Sequence, residues 1–159
     1  MLCEQILGRI NDFTTDNKTI EYVDIEWHEA FKKIHKKTTS AGRPIGIRLD
    51  DTVLSRGLYE GDVLYADDDT LIVVHTPPCE VIKIQVRPDH AFMVPKVCYE
   101  VGNRHAPFFY GDDEFSFITP YNEPMLKMLN NLHGVTAEKI TTTLNFDKRI
   151  SSNVHHHHH

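Results

Sequence analysis

The chain has 159 residues, of which 40% are hydrophobic and 25% charged, with a formal net charge of −6. These are ordinary values for a globular protein large enough to bury a core. The acidic balance argues against a nucleic-acid binder, and no apolar run approaches the ~20 residues of a membrane-spanning helix.

The N-terminal stretch, from Met1 to Phe13, carries an early Glu4. It lacks the basic start, long apolar stretch and small-residue cleavage site of a secretory leader, so a cytoplasmic protein is expected. Residues 4–10, 22–28 and 30–39 are short segments rich in aliphatic, aromatic and Thr side chains, which favour strands. After the punctuation Gly42-Arg43-Pro44, Ile45, Ile47 and Leu49 alternate with Gly46, Arg48 and Asp50, the period of a half-buried strand. Residues 62–66 and 70–75 flank Asp67-Asp68-Asp69, a polar turn that predicts a hairpin. Lys32, Lys33, Lys36 and Lys37 around His35 read as a solvated hairpin face. Short strands at this spacing predict a small barrel or sandwich over residues 1–77.

The composition breaks at Thr76-Pro77-Pro78. Residues 80–87 alternate through Ile82, Ile84 and Val86, and Arg87-Pro88-Asp89 then opens a helical stretch. Ala91, Val94, Cys98 and Val101 supply one apolar face of that helix. Gly102 is placed to end it in a left-handed cap. Pro95 requires that the regular helix start near Val94 or bend there. Strands follow at 107–110 and 114–119, around Gly111-Asp112-Asp113. A second helix is marked by Asn122 as its cap, Pro124 in its first turn and Gly134 beyond its end. Met125, Met128, Leu129 and Leu132 form its apolar stripe, and a last strand runs through 135–144. The order β-α-β-β-α-β over 78–148 predicts a ferredoxin-like unit, so the fold class is α+β in two small domains. Residues 149–159 are left as a flexible His-rich tail.

Phosphate-binding glycine loops, nucleophile elbows and the H-E-x-x-H pair are all missing, and the carboxylates are too scattered to nominate a catalytic pair. A metal-dependent hydrolase would need a general base beside an open metal site, and the sequence nominates neither. Cys3, Cys79 and Cys98 are odd in number and far apart, without C-x-x-C spacing, and read as free thiols. Eleven residues are histidine, five of them in the terminal run His155, His156, His157, His158 and His159, which is either a native metal-binding tail or a purification tag. His28 and His35 fall in the β-rich region, and His75 ends a strand. His90 opens the first helix at the surface, and His133 lies in the last turn of the second. His105 leaves the first helix in a short loop before Pro107, where an imidazole can ligate a borderline metal such as nickel, copper or zinc. One imidazole cannot hold a metal tightly; a symmetric dimer presents it twice.

The stretches Gly46-Ile47-Arg48-Leu49, Gly61-Asp62-Val63-Leu64 and above all Cys98-Tyr99-Glu100-Val101-Gly102-Asn103-Arg104-His105 resemble urease accessory protein E, the nickel metallochaperone family of urease maturation. The resemblance runs from about Leu7 to Phe146. It implies a β-rich N-terminal domain that engages peptide or protein partners and a ferredoxin-like metal-binding domain that forms a homodimer. It further implies that His105 binds Ni(II) with its symmetry mate, that histidines of the C-terminus (here His155 to His159) contribute, and that the cargo passes on to urease with a partner GTPase of the maturation complex. Zn(II) and Cu(II) are the expected competitors. Such a protein is a carrier, not an enzyme. The alternative is a protein-interaction adaptor that binds no metal and carries a tag.

Overall fold

The structure, a computed structural model, describes residues 1–150. It divides into one unit spanning Met1–Pro77 and a second beginning at Pro78. The first holds seven strands and one short helix: β1 (Leu2–Cys3), β2 (Gly8–Arg9), β3 (Thr19–Asp24), β4 (Ile34–Thr38), β5 (Pro44–Arg48), α1 (Val53–Arg56), β6 (Asp62–Ala66) and β7 (Thr70–His75). They form a three-stranded sheet, β1-β5-β4, and a four-stranded sheet, β2-β6-β7-β3.

The alternation through Ile45, Ile47 and Leu49 buries all three, as its period requires. The hairpin at Asp67 forms because its carboxylate accepts the amide N–H groups of Asp69 at 2.8 Å and Thr70 at 2.7 Å. Other strand limits differ from those expected. The strand expected over 4–10 is confined to Gly8–Arg9, followed by a 3-10 turn at Ile10–Asp12. The one expected over 22–28 is Thr19–Asp24, followed by a 3-10 turn at Trp27–Glu29. In each turn a carboxylate three residues ahead reaches back to a backbone amide: Asp12 to Arg9 N–H and Glu29 to Glu26 N–H, both at 3.1 Å. The same turn shortens the strand expected over 30–39 to Ile34–Thr38.

Two pairings in this unit are parallel, β1 with β5 and β3 with β7, so each joins strands distant in sequence. Next to the second, Glu21 is buried, and its carboxylate accepts the Arg43 guanidinium at 2.9 and 3.1 Å and the Thr39 hydroxyl at 2.6 Å. These bonds hold its carboxyl below the usual carboxylate range and pin the turn between β4 and β5 to β3.

The second unit contains β8 (Cys79–Val86), α2 (Met93–Asn103), β9 (Phe109–Tyr110), β10 (Ser116–Pro120), α3 (Glu123–Asn130) and β11 (Val135–Thr142). Its sheet order is β11-β8-β10-β9, with every neighbour antiparallel. This is the split βαβ arrangement that the sequence predicts. Ile82, Ile84 and Val86 of β8 meet Val97 and Val101 of α2 and Met125 and Leu129 of α3 in one buried cluster. Burying Leu129 contributes about 1.5–3 kcal/mol. Asn122 caps α3 by accepting the Met125 amide at 2.9 Å.

Pro95 is the third residue of α2, where a backbone N–H would have no partner within the helix, so it fits without a bend. α3 ends at Asn130, which places His133 beyond the helix rather than in its last turn. Arg149 and Ile150, expected in the tail, are held by the sheet. Arg149 pairs with Phe109, and the Ile150 N–H donates to the Phe108 carbonyl at 2.7 Å. Among the described residues no helix is long and apolar enough to cross a membrane.

Candidate metal centre

α2 does not end at Gly102. The helix runs on through Asn103, and the left-handed residue is His105, at φ 57°. The His105 N–H donates to the Gly102 carbonyl at 2.9 Å and the Ala106 N–H to the Val101 carbonyl at 3.4 Å. This pair of bonds is the Schellman closure, with histidine at the position that glycine usually takes. The left-handed conformation costs an L-residue about 1–2 kcal/mol. Gly102, three residues earlier, is the residue expected to take this turn, but the bond pattern places it on the histidine.

The closure places His105 on an exposed shoulder fastened to rigid elements. On its helical side, Arg104 donates to the Glu100 carboxylate at 2.7 Å and to the Glu100 carbonyl at 3.0 Å, and Lys96 lies 3.3 Å from the same carboxylate. The Arg104 bond first, and then Lys96, hold the Glu100 carboxyl below its ordinary range. Beyond His105, the Thr119 hydroxyl of β10 donates to the Pro107 carbonyl at 2.7 Å, and Phe108 stacks on Phe117. Both sides of the histidine are therefore tied down.

Two aromatic side chains face solvent here: Phe92, the residue just before α2, is 70% exposed, and Tyr99 on α2 is 65% exposed. They lie about two helical turns apart, on one side of the helix that His105 terminates. Cys98, by contrast, packs against the core, and burial pushes its thiol above the ordinary value, away from the thiolate that binds metals. Among the described residues no three His, Cys, Asp or Glu side chains converge as a metal cage. His105 belongs to no such group among the described residues, and His155 to His159 lie outside them.

Comparison with known families settles the kinship. The model for the UreE urease accessory protein N-terminal domain matches residues 3–76, and that for the C-terminal domain of the same family matches residues 80–159. The chain belongs to the UreE family. It is 36% identical over 156 residues to the urease accessory protein UreE of Helicobacter pylori (strain G27), covering 98% of this chain and 89% of that protein. The UreE of Helicobacter acinonychis (strain Sheeba) matches with the same identity and coverage. That of Acetivibrio thermocellus is 40% identical over 129 residues, 81% of this chain and 80% of the relative. The family is thus one of urease accessory proteins, as the motif ending in His105 implied.

The other histidines separate by environment. His35 is buried, with Nε2 at 2.9 Å from the Lys32 carbonyl, and burial lowers its pKa. His75 lies with Nδ1 2.9 Å from the Glu60 carboxylate. His90, expected at the surface, is largely covered: its side chain is 16% exposed and lies against His133 and Phe92.

Proposed function

We propose that this protein carries Ni(II) to the urease apoprotein during urease maturation. In this reading it acts in the cytoplasm as a homodimer through its C-terminal unit, with His105 of each copy binding one shared ion. The observation that carries the reading is an exposed histidine at the left-handed closing position of α2, in a chain of the UreE family. An exposed imidazole becomes a useful ligand when a two-fold axis presents it twice. Phe92, at the start of α2, and Tyr99 on it, both exposed, offer the apolar area that a second copy would cover.

The bond from Ile150 to Phe108 supports a contribution from His155 to His159. It starts the last segment three residues along the chain from His105. The five residues from Ile150 to His155 can span about 17 Å, enough reach to add ligands beside His105. Imidazole donors favour Cu(II) over Ni(II) and Zn(II) in intrinsic affinity, which makes Cu(II) and Zn(II) the competitors. They hold nickel less firmly than a thiolate cage would, which suits delivery to a partner GTPase and the apoprotein rather than catalysis. The N-terminal unit would engage protein partners, and Ile34, 70% exposed on the end strand β4, is the side chain best placed for it.

Calorimetric nickel titration of the full-length chain with His155 to His159 replaced by alanine tests the reading. It predicts about half a nickel per chain at the tightest site, lost in the additional variant His105→Gly. Equal nickel binding with and without His105 would overturn it.

A further inference from the structure

His90 and His133 come from two different loops, and the sheet brings them together. β8 and β11 are antiparallel neighbours with Val86 opposite Val135, so the turn after β8 and the loop before β11 meet at one end. The Arg87 N–H donates to the Gly134 carbonyl at 2.9 Å and fastens the two loops. The imidazoles then touch edge to face, with ring centroids 4.7 Å apart and planes at 61°.

His90 cannot swing away. Its ring lies over Gly134, where even an added Cβ would come within 2.6 Å of it, and Phe92 stands 5.6 Å off on another side. Its Nδ1 is 3.0 Å from the Asp89 carboxylate, which Arg87 also contacts at 2.8 Å. The His90 bond first, and then the Arg87 charge, hold the Asp89 carboxyl below its ordinary range, so it is an anion that accepts from Nδ1–H. In the metal-binding form of the ring, that hydrogen bond leaves the lone pair on Nε2. A carboxylate behind an imidazole in this way is the usual support of a metal-ligating histidine.

Two imidazoles that share one ion at about 2.0–2.1 Å per nitrogen have ring centroids roughly 4.5–5 Å apart. The observed separation falls in that range. We propose that His90 and His133 form a second metal site, a two-imidazole clip for a borderline divalent cation, with Asp89 as its positioning residue. Cu(II) binds it best, then Ni(II) and Zn(II), by the general order for nitrogen ligands. With two protein ligands the remaining positions are filled by water, so the ion exchanges readily. The clip uses neither His105 nor the terminal histidines, and it stands or falls apart from the reading of His105.

The test uses the full-length chain with His105 and His155 to His159 replaced by alanine, and Cu(II) as the probe. Imidazole NMR signals, assigned by substitution, report which histidines the paramagnetic ion approaches at substoichiometric copper. The proposal expects His90 and His133 to broaden together. Copper affinity should fall at least tenfold in His133→Asn, and about tenfold in Asp89→Asn, which keeps both rings and loses only their support. Circular dichroism identifies any variant that misfolds, and Asp89→Asn keeps the test decisive if His133→Asn does. If His28, His35 or His75 broadens while the pair stays sharp, or if neither substitution changes the affinity, the proposal is overturned.

Discussion

The amide of His105 donates to the carbonyl of Gly102, and this bond, rather than any property of the glycine, ends the helix that displays the imidazole. A residue at a left-handed helix end is under conformational cost unless it is glycine. The histidine thus occupies a place where the fold alone would favour a different residue.

His105→Gly should therefore leave the fold intact. Relief of the left-handed strain, about 1–2 kcal/mol, outweighs the roughly 0.5–1 kcal/mol of added chain entropy. Denaturant unfolding should show stability unchanged or raised by up to about 1.5 kcal/mol, while nickel binding at the tightest site disappears. A marked loss of stability would mean that the imidazole is structural.

Two other glycines should respond in opposite directions to alanine. At Gly57, φ is +79° and a Cβ would lie 2.7 Å from the buried Phe31 ring, so Gly57→Ala should cost on the order of 2–4 kcal/mol. Gly102 is helical with open space around it, so Gly102→Ala should add roughly 0.5–1 kcal/mol. Thermal unfolding of the pair checks both signs at once.

His35 sets an acid limit for the N-terminal unit. Burial lowers its pKa from the ordinary 6.5, with Lys37 and Lys32 adding to the shift and Glu29 and the Lys32 carbonyl opposing it. Above pH 6.5 the imidazole is neutral whether folded or unfolded, and contributes no pH dependence. Below it, the unfolded chain takes up a proton that the folded one resists, so stability falls as the pH drops. His35→Gln, whose amide can still donate to the Lys32 carbonyl, should flatten the fall between pH 6.5 and 5. Trp27, the single tryptophan, reports this unit by fluorescence. An unchanged slope would assign the acid sensitivity elsewhere.

Glu21→Ala should cost the N-terminal unit about 1.5–3 kcal/mol, since it removes the acceptor shared by Arg43 and Thr39. The contribution of this carboxylate is present above the ordinary carboxylate pKa of 4.5 and is lost as the pH falls below it. Urea unfolding at pH 7 and pH 4 should show the gap between wild type and variant narrowing in acid.

Local chemistry made much of the second unit legible. Asn122 and Pro124 open α3 by rules that act within a few residues, though the helix stops at Asn130 and not at Gly134, and the alternation of Ile82, Ile84 and Val86 suffices to define β8. The parallel pairs β1–β5 and β3–β7 were not legible, because no local pattern in Leu2–Cys3 or Thr19–Asp24 points to a partner so far along the chain. Glu21 deepened the difficulty: a carboxylate in a strand reads as exposed until Arg43 and Thr39 are seen around it. At the candidate site, the motif drew attention to His105, yet its backbone geometry was concealed by the more obvious glycine. The meeting of His90 with His133 depends on the register of β8 against β11, which only the folded sheet reveals.

The bond that fastens Ile150 to Phe108 closes the hydrogen-bonded part of the described chain beside the loop that holds His105. Arg149 and Ile150 are thereby part of the sheet's own hydrogen bonding. The strand pairs and the buried cluster of the second unit, among the described residues, are all made before that point. A change at Phe108 or Ile150 would therefore be felt at the backbone that carries His105, three residues from Phe108, as well as in the sheet.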